Sequence, residues 1–179
     1  MGTWKSRGLR GSVLEELINR TNDKYRENGL CLIQKVPTPI TPMKFDSESR
    51  QITLAYFDQK STVDYIGAVQ GIPVCFDAKE SASDTFSLQN IHEHQVMFMK
   101  DFEAQDGIAF FLINFTTDDS LYFLPYDDLA VFWERAVNGG RKSFRRDELK
   151  DKYYFRSRDG YLVPYLDPMK IYLEEKDTK

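Results

Sequence analysis

Asp77 and Lys79 stand one residue apart inside Val74–Lys79, a run of strand-forming residues. Side chains two apart along a strand leave the same face. A carboxylate and an ammonium are therefore expected side by side on one surface, with Phe76 and Ala78 turned into the core. Asp64 opens another such run, through Val69, and the turn residues Gln70-Gly71 fold it back on the first, so its carboxylate is expected near that of Asp77 at one sheet edge. Two hard oxygen ligands suit magnesium, which takes one or two carboxylates and fills its octahedron with water and phosphate oxygens. Such an ion lowers the pKa of a bound water, orients it for in-line attack on a phosphodiester and offsets charge on the phosphorus oxygens. Lys79 adds a point charge for that developing anion, or for placing the water.

The order acid, acid, x, Lys is that of the PD-(D/E)xK nucleases, with Asp64 first and Asp77-Ala78-Lys79 second. Taken alone, an Asp-x-Lys on a strand is most often a solvated face. Here the context strengthens it: Glu15 sits on an upstream helix, and a polar helix carrying Gln89, His92, His94 and Gln95 follows at once. Gln95 could offer an amide oxygen to the metal, directly or through water, although a mid-helix Gln is ordinarily just exposed. The histidines, two apart, face different ways on a helix and form no paired metal site.

The elements that must position these groups follow from periodicity. Leu14, Leu17, Ile18, Thr21 and Tyr25 recur at helical spacing, so a helix is expected over 12–28, capped by Ser12 and stopped by Gly29. Strands are expected at 30–36, 43–45, 51–57, 65–69, 74–79, 107–115 and 121–124, with the polar stretch 46–50 joining a hairpin. Helices are expected at 88–103, 127–137, 146–150 and 168–175. This order describes an α/β domain with a mixed central sheet flanked by helices. At 179 residues one domain is expected, large enough to bury a full core. The 41% apolar and 29% charged content places the chain among folded globular proteins rather than disordered ones. Its longest apolar run, 108–115, is too short to span a bilayer, and residues 1–10 lack an apolar signal core, so no membrane and a cytoplasmic location are expected. Cys31 and Cys75 both lie in apolar strand stretches and read as small core residues. The formal charge of −4 argues weakly against nucleic acid, but Lys5, Arg7 and Arg10 crowd the N-terminus and Arg141, Lys142, Arg145 and Arg146 crowd a later segment. That second cluster is expected to contact DNA phosphates, against the alternative of a solvated basic loop.

The chain resembles the RecU-type Holliday-junction resolvases of low-GC Gram-positive bacteria and their phages. The matching words run in order from residue 10 to about 165: Arg10-Gly11, Leu14-Glu15, Thr21-Asn22, Pro37-Thr38-Pro39, Ala55-Tyr56-Phe57, Ser61-Thr62, Asp64-Tyr65, Ala78-Lys79-Glu80, Leu88-Gln89-Asn90, His94-Gln95, Ala104-Gln105-Asp106-Gly107, Phe132-Trp133 and Arg141-Lys142-Ser143. The resemblance implies a restriction-endonuclease-like fold in a homodimer, with a projecting hairpin stalk at about 37–60 within a single nuclease domain, 1–179. It implies symmetric nicking of opposing strands of a four-way DNA junction in recombination and repair, with Mg2+ as cofactor, Mn2+ as a substitute, and the RecA recombinase as a further partner. Carried over by position, Thr62, Asp64, Asp77 and Gln95 match metal-binding positions and Lys79 a transition-state-stabilising lysine. Glu15 matches an acidic helix residue and Arg10 an arginine that handles substrate.

The sequence departs from the family pattern in placing Asp77 where Glu is usual, which shortens the reach by one methylene, and Val63 where Thr is common. Lys44, Arg50 and Lys60 balance Asp46, Glu48 and Asp58 in the hairpin, which weakens the expected hold on DNA. Two other readings stand beside the resolvase: a phage-type nuclease acting on other branched DNA, and a non-catalytic junction-binding protein that assists RecA.

Overall fold

The structure, a computed structural model, describes residues 10–37, 39–57, 62–158 and 160–178, the side chains of 10–12 and 57 excepted. The chain opens with α1 (Arg10–Glu27), followed by β1 (Cys31–Lys35), β2 (Ile40–Asp46), β3 (Gln51–Phe57), β4 (Tyr65–Val69), β5 (Ile72–Ser81) and β6 (Thr85–Ser87). Then come α2 (Glu93–Glu103), β7 (Ile108–Phe115), β8 (Ser120–Pro125), α3 (Tyr126–Val137), β9 (Ser143–Arg145), β10 (Tyr154–Phe155) and α4 (Leu166–Lys176). Six strands form the central sheet in the order β1-β4-β5-β7-β8-β10. Only β5 and β7 run parallel, so the sheet is mixed, as the sequence leads one to expect.

On α1 the positions Leu14, Ile18, Thr21 and Tyr25 are buried, which fixes the face laid on the sheet. The helix ends where Gly29 takes φ +65° and the Leu30 amide returns to the Tyr25 carbonyl. On the same side of the sheet a row of rings crosses four strands. Tyr65 stacks on Phe76 at 4.7 Å, Phe76 on Phe110 at 4.8 Å, and Phe110 meets Phe123 at 4.5 Å. Tyr165, ahead of α4, closes over Phe76 and donates to Asn22 at 2.6 Å. The strands β4 and β5 meet in a turn whose two residues, Gln70 and Gly71, both have positive φ, the geometry that suits the twist of a tight hairpin.

The opposite side is covered by α2 and α3 and by a small sheet of β6 and β9, in which Phe86 stacks on Phe144 and Phe144 on Phe132. The far end of α2 is tied down twice through Glu103, which accepts from the Ala109 amide at the start of β7 and from Lys176 on α4, both at 2.7 Å. The strands β2 and β3 form their own two-stranded sheet, in which Met43, Phe45, Ile52, Leu54 and Tyr56 are all exposed. Of the expected stalk, residues 38 and 58–60 lie outside the described residues, as do the N-terminal Lys5 and Arg7. Ser12, expected as the helix cap, lies inside α1, which reaches back to Arg10. No described helix is long and apolar enough to cross a membrane.

The close approach of β1 to β4 depends on Gly67, where a Cβ would fall 2.0 Å from the Leu32 carbonyl oxygen. Since that obstacle is backbone, Gly67→Ala is expected to lower unfolding free energy by about 3 kcal/mol, which urea denaturation would measure.

Candidate active site

The β4–β5 ladder pairs Tyr65 with Phe76. One step further the same register sets Asp64 across from Asp77, so the two carboxylates leave the sheet on one face, away from Tyr65 and α1. At this point β4 has ended, and the Ala78 amide donates at 3.1 Å to Asp64 Oδ2 instead of to a strand carbonyl. A side chain has replaced a rung of the ladder, which fixes Asp64 against the backbone between Asp77 and Lys79. Val63, next to it, is buried, in keeping with a core role at that position.

Asp77 is fully buried. The sequence leads one to expect an exposed carboxylate beside Lys79; the structure corrects this, because β5 is a central strand and α2 packs over the face that Asp77 shares. Gln95 Nε2, on α2, donates to Asp77 Oδ2 in a short contact. Asp77 Oδ1 is held in an ion pair with the Lys79 ammonium at 2.5 Å and accepts no further hydrogen bond among the described residues. Burial pushes the Asp77 carboxyl up to about 7, Lys79 opposes the rise, and the nearby Asp64 carboxylate adds to it. A buried carboxylate oxygen with open lone pairs, facing a second carboxylate and an ammonium, fits a hard divalent cation. Among the described residues no three His, Cys, Asp or Glu side chains converge, so the donor set is the pair of carboxylates, which suits an ion that keeps water and substrate oxygens.

Gln95 is not in the middle of a helix. The expected helix over 88–103 is broken: Leu88–Asn90 form a 3-10 turn, capped by Ser87 at the Gln89 amide, and Ile91 and His92 are extended before α2 begins at Glu93. Gln95 is thus the third residue of α2, where a Gln reaches back to the N-cap amide. Its Oε1 accepts from the His92 amide at 3.1 Å while its nitrogen faces Asp77. The rings of His92 and His94 stack at 5.4 Å rather than facing apart, because His92 lies outside the helix.

Other expected site residues are not brought to the pair. Glu15 is bonded to Lys35, and its helix lies on the opposite face, where Tyr65 donates to the Glu15 carbonyl. Thr62, two residues ahead of Asp64 and partly exposed, makes no hydrogen bond to either carboxylate among the described residues. The side chain of Arg10 lies outside the described residues. In the basic segment, Arg141 is paired with Glu148, and Arg145 with Asp147 at 3.0 Å. Arg146 donates to both Asp118 oxygens at 3.2 Å and to Ser120, and lies over the rings of Phe115 and Tyr154. Its hydrogen bonds, with one from Ser120, hold the Asp118 carboxyl pKa down to about 2. Three of the four expected phosphate contacts are therefore engaged in the fold, and Lys142 is the one without an ion pair among the described residues. The acids Asp147 and Glu148 beside these arginines were the signal for this pairing. Sequence reasoning missed the two amides that order the site, Ala78 N–H and His92 N–H, because main-chain donors leave no mark on residue type.

A folded-state pKa raised above the unfolded value favours the protonated form, so this group's stabilisation is complete below pH 4 and is lost as pH rises through about 7. Asp77→Asn, which cannot ionise, is expected to melt above the wild type in EDTA, the gap widening from pH 4 to 7 and levelling beyond; thermal melts across that range measure it. Arg146→Ala is expected to cost about 2 kcal/mol of stability through loss of a partly buried, hydrogen-bonded charge, again read by urea denaturation. Lys142→Ala should leave melting unchanged and reduce the salt dependence of DNA binding by about one ion, measured by fluorescence anisotropy.

Comparison with known proteins agrees with the geometry. The family model described as "RecU: Recombination protein U" matches residues 9–171. A Bacillus subtilis protein named "Holliday junction resolvase RecU" is 43% identical over 166 residues, covering 90% of this chain and 79% of its own. Its namesake in Pediococcus pentosaceus is 42% identical over 164 residues, covering 89% and 82%. Another, from Limosilactobacillus reuteri, is 39% identical over 173 residues, covering 94% and 81%. With that match running from the start of α1 into α4, across both site carboxylates and Lys79, the chain belongs to the RecU family.

Proposed function

We propose that this chain is a Holliday junction resolvase, a structure-specific DNA endonuclease that depends on a divalent cation. The observation that carries the reading is the convergence of Asp64 and Asp77 beside Lys79, on a chain whose relatives bear that name. Asp64 and Asp77 hold the cation, with magnesium the fitting ion because only two carboxylates are offered and the remaining positions go to water and phosphate. When bound, it supplies Lewis-acid polarisation of the phosphodiester and a more acidic water.

The chain's own groups do the rest. The Ala78 amide holds Asp64 Oδ2, and the remaining carboxylate oxygen would be the one available to the ion. Lys79, whose side chain is only 20% exposed, places a positive charge where negative charge grows on the phosphorus oxygens. Burial of Asp77 removes competing water, and its raised pKa means that ion binding displaces a proton below about pH 7. Resolution needs one cut on each of two opposing strands, so we propose that two copies act together in a homodimer. The β2–β3 hairpin, whose apolar side chains Met43, Phe45, Ile52, Leu54 and Tyr56 are exposed among the described residues, serves as the stalk at 37–60 of this single nuclease domain.

The test is cleavage of a synthetic four-way junction, a flap and a linear duplex, with magnesium and with EDTA. Junction cutting that needs the ion and exceeds cutting of the other two substrates is expected. Equal rates on all three would overturn the resolvase reading. Asp77→Asn should lose cutting by a factor of about 1,000, in line with loss of a group that acts on the transition state, while retaining junction binding by gel shift. Between pH 8 and 6 the magnesium concentration needed for half-maximal cutting is expected to rise.

A further inference from the structure

The segment that leads into α2 borders a cavity of about 370 Å3, on the side of the sheet that Asp77 and Lys79 face. Its size falls at the lower end of the range of small-molecule sites, roughly 300–1,000 Å3. Leu88 and Ile91, both buried, line it from the segment ahead of α2, while Trp133 and the exposed Val137 line it from the last turns of α3. Two exposed polar side chains, Gln89 and Lys142, stand among them. The sides are fastened to one another. The Leu88 amide donates to the Lys142 carbonyl at 3.1 Å, Ser87 pairs with Ser143 in the small sheet, and Arg135 on α3 donates to the Ser143 carbonyl at 2.7 Å. The cavity is therefore preformed.

Packing does not use up the indole. Phe132 stacks on Phe144 and Arg135 lies over Phe132, whereas Trp133 is half-buried and stacks on no ring among the described residues. Gln89 makes no side-chain hydrogen bond and Lys142 no ion pair among the described residues. An aromatic face between aliphatic side chains, an amide that can donate and accept, and a cation suit the three parts of a nucleotide. The base stacks, its edge hydrogen-bonds and its phosphate meets the charge.

We propose that this cavity receives a base of the DNA strand held at the cation site, stacked on Trp133, with its edge against Gln89 and its phosphate against Lys142. The proposal rests on the nuclease reading above and extends it to how the bound strand is gripped beside the cut. Reach supports it. Ile91 and Gln95 are four positions apart, so their Cα atoms stand no more than about 14 Å from each other, and Gln95 touches Asp77. One strand of a duplex advances about 3.4 Å per nucleotide, which puts the cavity within a few nucleotides of the bond to be cut. Charge supports it as well. In a chain of net charge −4 whose neighbouring arginines are engaged, an apolar pocket that keeps Lys142 at its rim favours a polyanion over an apolar peptide. A base costs least to unstack where stacking is already interrupted, as at the crossing point of a junction.

The test is photocrosslinking on a four-way junction in EDTA, where the strands are bound without being cut. 5-Iodouracil, which crosslinks to an aromatic ring that it stacks on, is placed at each nucleotide in turn on both sides of the cut. Mass spectrometry is expected to find the adduct on Trp133 from a position a few nucleotides away; adducts only elsewhere in the chain would overturn the proposal. By fluorescence anisotropy, Trp133→Ala should weaken junction binding by about fivefold or more, the loss of one base–aromatic stack, while Trp133→Phe keeps a ring and most of the affinity. If Trp133→Ala does not fold, Val137→Glu decides. Val137 is exposed, so the fold tolerates the change, and a carboxylate at the rim should repel the phosphate and weaken binding where Val137→Lys does not. Wild-type affinity in Trp133→Ala and Val137→Glu, with junction cutting intact, would refute the base pocket and leave the nuclease reading standing. Wild-type protein that neither binds nor cuts DNA would take down both. Variants that disrupt self-association in sedimentation while leaving DNA binding alone would give the cavity to a second copy, and the proposal would fall.

Discussion

A carboxylate taken out of water must be neutralised, hydrogen-bonded or bound to a cation. Asp77 is in that position, and much of the molecule can be understood as what holds it there. The aromatic row of Tyr65, Phe76, Phe110 and Phe123 stiffens the sheet from behind, so the strand bearing Asp77 cannot yield toward the core. The Gln70-Gly71 turn sets the register that brings Asp64 opposite. The start of α2 supplies the cover and the amide contact. Removing any of these would leave a buried charge without its partners, which costs more than the partners contribute when present.

Part of this was legible in the sequence because it depends on short-range geometry. The two-residue spacing of Asp77 and Lys79 fixes a shared face, and a Gln-Gly between apolar runs fixes a hairpin. Periodicity located α1, β3, β4 and β7 within a residue or two of their observed ends. What was not legible depends on partners distant along the chain. The burial of Asp77 follows from α2 lying over it, and no local pattern reports that. The break before α2 was hidden because Ile91 falls at a spacing compatible with a continuous helix, whereas the structure gives its backbone an extended conformation. The three-residue strands β6 and β9 pair across nearly sixty positions and are too short to show alternation.

The basic segment teaches a related lesson about charge. Arg141, Lys142, Arg145 and Arg146 look like a phosphate-binding cluster when counted along the chain. In space, Arg146 is a strut between β8 and β10, bonded to Asp118 and Ser120 and stacked on two rings. A guanidinium so used cannot release DNA counterions. Together with the net charge of −4, this makes attraction to the substrate depend on few cations, and hence on where they stand.

Glu103 gives the carboxyl-terminal helix a share in chemistry it never touches. One oxygen of that residue is bonded to the start of β7 and the other to Lys176, so the last turn of α4 braces the tail of α2. The head of α2 is the part that grips Asp77. A rigid rod fastened at its far end points its near end more accurately. Trimming the final residues, or hanging a bulky fusion on them, would therefore loosen the far end of α2 and, through it, the placement of Gln95 against Asp77.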